Sequence, residues 1–331
     1  MVQNDNIEGN VINAAIIGLG NWGRKLVSSV QGKSNRIKFS KAVVRTPEKV
    51  ENFVAEQGLS LGTELDSVLT DDAIDAVVVC SAAGVHARHG LAVIASGKPV
   101  MVIKPLALSQ SDAEKLRVEA NRASVLLALG YNRCFLPANK ELRRLVATEE
   151  LGTTLHAEGN FCVDRYGRLS PGDWKADNMQ TPPGALTDHM LYEMIRMFGP
   201  VAEVHAYGGD RAGLDTLKDT TATLLRFNNG STGLLTAIGT TADMLRIQVF
   251  GTKGWAEVRG LNDLTVSLTN GKGIAKSFPK FEAEKAQLEG FADAIEGKEE
   301  FPVTPEQAAH SVAVLEAIRK SVVGMTPVSI T

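Results

Sequence analysis

Three glycines in the order Gly18-Leu19-Gly20-Asn21-Trp22-Gly23 close an apolar run and open a stretch of helical pattern. The spacing is that of a G-x-G-x-x-G turn. The first glycine permits the tight turn, the second lets backbone approach a pyrophosphate, and the third packs the helix on its strand. All six residues are therefore candidate dinucleotide contacts. The choice of dinucleotide falls about 20 residues later, where NAD-binding domains present a carboxylate to the ribose 2′-hydroxyl. Here the next apolar run ends Val43-Val44-Arg45-Thr46, with no acid. The guanidinium of Arg45 can pair with a 2′-phosphate and stack on adenine. Arg45 and Thr46 thus favour NADP, with NAD as the alternative. The rival reading of the two features is a structural glycine turn and a solvated arginine.

A glycine turn binds a dinucleotide only in the right setting, and the flanking sequence supplies it. VINAAIIG, KFSKAVV, IDAVVVC, PVMVI and SVLLALG read as buried strands, separated by helical stretches such as NWGRKLVSSVQG and VHARHGLAVIASG. Further helices are expected from Pro47, which suits a first turn, and over Ser109 to Arg122. Apolar runs alternating with helices predict βαβ units and a parallel sheet covered on both faces. In that setting Lys104, between the PVMVI strand and Pro105, emerges at the sheet's carboxyl edge, where open α/β sheets collect ligands.

After about residue 130 the texture changes. PANKELRRLVA and GALTDHMLYEMIRMFG have helical spacing, the latter through Leu191, Met194, Ile195 and Phe198. TTLHAEGNFCV, VAEVHAY, TATLLRF, STGLLTAIG, LRIQVF, WAEVRG and LTVSLT have strand composition, and most follow one another through turns. They predict a large, mostly antiparallel open sheet, followed by helices near AEKAQLEGFADAIEG and PEQAAHSVAVLEAIRKSV. The expected fold class is α/β: a Rossmann domain over residues 11–130 and an α+β substrate-binding and dimerisation domain over residues 131–331.

The bulk numbers fit that outline. At 331 residues the chain is long for one core. A net charge of −3 with 22% charged residues gives no basic stripe for nucleic acid. No apolar run spans a bilayer, and the polar MVQNDNIEGN start has no secretory h-region. Three cysteines, Cys80, Cys134 and Cys162, lack C-x-x-C spacing and point to reduced thiols in the cytoplasm. His86 and His89 have no third ligand, so no metal is expected. There is also no G-x-S-x-G elbow and no G-K-[ST] phosphate loop.

The layout resembles the glucose–fructose oxidoreductase / inositol dehydrogenase / rhizopine catabolism family of NAD(P)-dependent oxidoreductases. GLGNWG, DAVVVCSAAGVHARHGLAVIASGKPVMVIKPLALS, GYNRCFLPA, GTKGWAEV and FADAIEGKEEFPVTPEQA match family segments in order and spacing. The resemblance implies hydride transfer between a nicotinamide and a sugar, polyol or related secondary alcohol or carbonyl. It also implies a homodimer or homotetramer through the C-terminal sheet. It places Ser81 and His86 near the cofactor, and Lys104 beside both nicotinamide and substrate oxygen. The family's glutamate before that lysine is here Ile103.

The resemblance further marks Asp188-His189-Met190-Leu191-Tyr192. Asp188 and Tyr192 fit an aspartate and an acid/base one helical turn apart, whereas counting back from Phe198-Gly199-Pro200 puts His189 in the catalytic position. Tyr192 is preferred, with Lys104 lowering its pKa. His189, which titrates near neutrality by default, stays open. Asp188 would orient them. Trp174 is a candidate cleft residue. The alternative function is a non-catalytic dinucleotide sensor of the same fold, to which the missing glutamate lends support.

Overall fold

The computed structural model describes residues 11–168, 184–213 and 219–330. Trp174 lies outside them. The chain forms two compact units, the first made of residues 11–106, 115–130 and 282–302.

In the first unit, strands and helices alternate: β1 (Ile12–Ile17), α1 (Asn21–Val30), β2 (Ile37–Val43), α2 (Glu51–Gln57), β3 (Ser60–Gly62), α3 (Asp66–Leu69), β4 (Ala76–Val79), α4 (His86–Ala95), β5 (Val100–Ile103), α5 (Gln110–Ala123, of this unit from residue 115) and β6 (Leu127–Gly130). The strands make one parallel sheet in the order β3-β2-β1-β4-β5-β6. Every residue of β4 is buried, as expected of a strand covered on both faces. The order reverses direction between β1 and β4. The crevice outside the strands' carboxyl ends at such a point is where dinucleotides bind. β3 escaped the sequence reading, because Ser60-Leu61-Gly62 is too short to show a period. The helix expected from Pro47 is a 3-10 turn over Pro47–Lys49 followed by α2.

The second unit takes residues 107–114, 131–281 and 303–330. It contains α6 (Pro137–Ala147), β7 (Thr154–Asp164), α7 (Gly184–Phe198), then β8 (Val201–Gly209), β9 (Thr220–Phe227), β10 (Thr232–Ile238), β11 (Thr240–Gly251), β12 (Gly254–Arg259), β13 (Asp263–Leu268) and β14 (Gly273–Ser277). After α8 (Ala283–Ile295), which returns to the first unit, come α9 (Pro305–Gly324) and β15 (Val328–Ser329). The nine-stranded sheet runs β14-β13-β12-β11-β7-β10-β9-β8-β15. β7 and β10 are parallel and the other neighbours antiparallel.

Helices α6, α7 and α9 pack on this sheet. β9 shows the resulting alternation, with Thr221, Thr223, Leu225 and Phe227 buried and Leu224 and Arg226 exposed. The helix α7 comes close to β7 at Gly159, where a Cβ would lie 2.8 Å from Cε of Met194 and 3.0 Å from Cβ of Met190.

A boundary at residue 130 does not account for the return of α8. Lys25 Nζ donates to Glu284 at 2.5 Å, Ser34 Oγ to Glu289 at 2.8 Å, and Arg36 pairs with Asp293 and Glu296. The polar face of α8 thus reads as a surface in sequence yet is tied to the first unit.

Candidate active site

At the carboxyl end of β1 each fingerprint glycine meets a different constraint. Gly18 has φ +99°, and a Cβ there would lie 2.6 Å from the carbonyl oxygen of Cys80, at the end of β4. At Gly23 a Cβ would lie 2.3 Å from the carbonyl oxygen of Gly18. Gly20 is the opposite case: it is exposed, has an ordinary φ of −67°, and a Cβ would meet nothing within 4 Å. Two of the glycines are demanded by the protein's own packing. The third leaves a space. Gly20 is also the N-cap of α1, with no side chain capping the helix and no acid in its first turn, so the opening amides face outward to an anion. These features fit a bound dinucleotide. Leu19 is buried, Asn21 is exposed and Trp22 half-buried, the last with the Lys25 ammonium 4.9 Å over its ring.

Arg45 and Thr46 follow β2 at the same sheet edge, Arg45 exposed and Thr46 half-buried. Arg24, a second cation near the turn, is held by its own contacts, since Nε donates to Leu19 O at 3.3 Å and Nη2 to Lys49 O at 2.7 Å. Ser81, past the end of β4, has its hydroxyl 3.0 Å from Nδ1 of His89. Lys104 is half-buried after β5, and its backbone amide donates to Gly130 O at 3.4 Å. Ile103, in place of an acid, packs against Gly130.

His86 is held between two backbone carbonyls. The ring is 1% exposed, with Nδ1 2.8 Å from Pro105 O and Nε2 2.9 Å from Ser81 O. Both nitrogens lie at hydrogen-bond distance from backbone carbonyls, and the neutral ring donates to one of them. Burial pushes this imidazole below its usual range, against the pull of the two carbonyls. Cys80, beneath the glycine turn, is pushed up to about 12 by burial. It is therefore a packing thiol.

In the second unit Asp188, His189 and Tyr192 stand on α7 with unequal exposure. Tyr192 is 0% and Asp188 1% exposed, whereas His189 is half-buried. The His189 ring lies 5.3 Å from that of Phe161 on β7 and 5.8 Å from that of Tyr131. Tyr131 is fully buried, sits 5.1 Å from the ring of Tyr192, and donates its hydroxyl to the His189 carbonyl at 2.6 Å. Its own pKa is raised well above the usual value, by burial first and then by Glu193. Arg133 stacks its guanidinium 4.6 Å over Phe161. Glu193, buried beside Tyr192, accepts from Arg143 at 3.3 Å, and Arg143 also donates to Cys134 O at 2.9 Å. Sequence reasoning missed this surround of Tyr131, Arg133, Phe161 and Glu193. The one signal was that Tyr131 and Arg133 lie in the GYNRCFLPA segment.

Comparison with known proteins agrees with the geometry. Residues 12–131 match the model described as "Oxidoreductase family, NAD-binding Rossmann fold", and residues 139–257 match the GFO/IDH/MocA C-terminal domain. The chain belongs to this oxidoreductase family. Among relatives of the family, a myo-inositol 2-dehydrogenase of Thermotoga maritima is 28% identical over 273 residues, 78% of each chain. An uncharacterized oxidoreductase of Bacillus subtilis, YrbE, is 26% identical over 283 residues, 80% of each. Among solved structures of the fold, a putative NADPH-dependent oxidoreductase from Desulfitobacterium hafniense gives a TM-score of 0.89 at 23% identity, covering 97% of this chain and 98% of that one. A levoglucosan dehydrogenase in complex with NADH and L-sorbose gives 0.89 at 15% identity, covering 98% and 100%. At these identities the structural likeness shows the fold. Among the described residues no three His, Cys, Asp or Glu side chains gather as a metal set, and no helix is long and apolar enough to cross a membrane.

Proposed function

We propose that this chain is a dehydrogenase or reductase of a sugar, polyol or related secondary alcohol or carbonyl, using NADP in preference to NAD. The observation that carries the reading is the unequal glycine turn: closed by packing at Gly18 and Gly23, and open at Gly20 beside an uncapped helix N-terminus. Gly18 to Gly23 would hold the pyrophosphate, with Ser81 near the nicotinamide half. Arg45 and Thr46 would meet the 2′-phosphate, since no carboxylate follows β2 to repel it. The bound nicotinamide supplies hydride transfer.

The chain's own residues then handle the proton and the oxygen. The ammonium of Lys104 stabilises negative charge as it develops on the reacting oxygen. A proton must leave or reach that oxygen in the same event. On α7 the half-buried His189 is favoured for this over Tyr192, which has no exposed surface through which to touch a substrate. This reverses the preference drawn from sequence. Asp188, one turn before Tyr192, orients the helix face. His189→Asn is expected to lose about 10² to 10⁴ in kcat, and Tyr192→Phe to stay within a few-fold. The opposite pattern returns the role to Tyr192.

The same proposal covers assembly and compartment. The open face of the nine-stranded sheet, with Tyr207 57% and Leu224 56% exposed, would pair two copies. The free, buried cysteines Cys80, Cys134 and Cys162 suit the reducing cytoplasm. The test of function is turnover: NADP⁺ and NAD⁺ offered with myo-inositol, scyllo-inositol, D-xylose and D-glucose, and the reduced cofactors with matching ketones. Reduction or oxidation of nicotinamide with at least one member is expected. Tight NADPH binding that a sugar perturbs, with no oxidation across the panel, would return the sensor reading.

A further inference from the structure

Strands β4 and β5 are hydrogen-bonded neighbours over Val77–Val79 and Val100–Val102. Their ladder ends there, and the two turns that follow have different duties. The turn after β4 begins at Cys80-Ser81 and faces the glycine loop, as the contact of Gly18 with Cys80 O shows. The turn after β5 carries Lys104. His86, the first residue of α4, places its ring between them, Nδ1 on Pro105 O at 2.8 Å and Nε2 on Ser81 O at 2.9 Å. The ring is shut off from solvent.

A helix start needs no imidazole, and a buried polar side chain is retained where it is hydrogen-bonded. The ring that burial keeps neutral has one N–H, so it donates to one of two carbonyls outside any ladder and packs its other nitrogen against the second. The Pro105 carbonyl is one peptide unit beyond Lys104, whose amide reaches Gly130 O only at a long 3.4 Å. The course of the backbone past Lys104 therefore depends on what holds the Pro105 carbonyl.

We propose that His86 is a positioning residue: from the start of α4 its ring donates to the Pro105 carbonyl, rests against the Ser81 turn, and so aims the Lys104 ammonium. It acts through Lys104 and does not touch the cofactor. The inference rests on the role given to Lys104 above.

The two contacts are separable by substitution. In His86→Asn the amide nitrogen takes roughly the place of Nδ1 and can still donate to Pro105 O. In His86→Gln it reaches toward the place of Nε2 and Ser81 O. His86→Leu keeps bulk and removes both. The cofactor-free readout is the dimethylated Lys104 amine, labelled with carbon-13 and assigned by its loss in Lys104→Arg. Its chemical shift and titration are expected to move in His86→Leu and His86→Gln, and to return toward wild type in His86→Asn. In the same order, kcat on the best-used polyol of the panel should fall on the order of 10- to 100-fold, recovering in His86→Asn. The dissociation constant for NADPH should change by less than about threefold, well below the tenfold step of 1.4 kcal/mol.

An unmoved Lys104 signal in His86→Gln overturns the inference. So does a loss of NADPH affinity that matches the loss in kcat. If His86→Leu fails to fold, the contrast between the Asn and Gln variants decides alone. If Lys104→Ala keeps its activity, the catalytic reading of Lys104 fails by itself, and the strut is then judged on the amine signal.

Discussion

Gly20→Ala should separate binding from folding. The new methyl meets nothing within 4 Å, and φ of −67° is ordinary for alanine. Removing glycine freedom from the unfolded chain is worth about 0.4–1 kcal/mol, and losing a glycine N-cap costs a similar few tenths to about 1 kcal/mol. The two nearly cancel, so stability should stay within about 0.5 kcal/mol of wild type. For a dinucleotide the same methyl stands where the pyrophosphate approaches. Displacing one amide–phosphate hydrogen bond costs about 1.5–3 kcal/mol, or on the order of 10- to 100-fold in dissociation constant. Gly23→Ala should do the reverse. Its methyl would lie 2.3 Å from the backbone carbonyl of Gly18, which no rotamer relieves, and overpacking of this kind costs about 1–3 kcal/mol or more. Urea unfolding and NADPH fluorescence titration read the two quantities on the same samples. A Gly20→Ala protein that is stable and binds NADPH as wild type would falsify the reading of this turn as a cofactor cradle. One that is destabilised like Gly23→Ala would show that the open space is filled by something in the folded protein.

Arg45→Asp is expected to shift preference from NADP toward NAD, since it replaces a phosphate partner by a ribose-hydroxyl acceptor; the ratio of the two dissociation constants measures it, and an unchanged ratio means a solvated arginine. Tyr131→Phe keeps the ring contacts with His189 and Tyr192 but removes the hydroxyl that donates to the His189 carbonyl. A loss of about 0.5–1.5 kcal/mol in unfolding free energy, with kcat falling more than NADPH affinity, is expected, and an equal fall in both would place Tyr131 outside the α7 site. Burial holds His86, His89 and His310 below their usual range, so the unfolded chain takes up protons near pH 6.5 that the folded chain refuses. Stability should therefore fall as pH drops from 7 toward 5, by at most about 1.4 kcal/mol per pH unit for each histidine; a flat urea midpoint over that range would contradict it.

The first unit was legible because its strands are apolar throughout and its turns carry glycines with separate duties. The second sheet was legible strand by strand, through alternation such as that of β9. What escaped were pieces that neither period nor composition marks. β3, β14 and β15 are short or wholly exposed. The return of α8 rests on charged pairs, Arg36 with Asp293 and Glu296, whose members look like any solvated residues in sequence. A linear boundary cannot express a helix that leaves its neighbours in the chain to pack on α1.

At the site, sequence supplied the residue types and lacked their orientation. A lone histidine after a strand reads equally as a cofactor contact or a strut, and the strut reading proposed for His86 rests on two distances that no sequence pattern carries, to Ser81 O and Pro105 O. The same holds on α7. Asp188, His189 and Tyr192 span little more than one turn, and successive residues on a helix point about 100° apart. The sheet decides which direction is inward. Met190 and Met194 come down on Gly159, and Tyr131 closes over Tyr192. That pair of contacts buries Tyr192 and leaves His189, between Phe161 and Tyr131, with the exposed edge. A side chain must reach a substrate before its pKa matters, so exposure outranks the pKa argument that first favoured tyrosine. The glutamate absent before Lys104 fits the same order of reasoning: under the proposal above, Lys104 takes its aim from the backbone contact between His86 and Pro105 O.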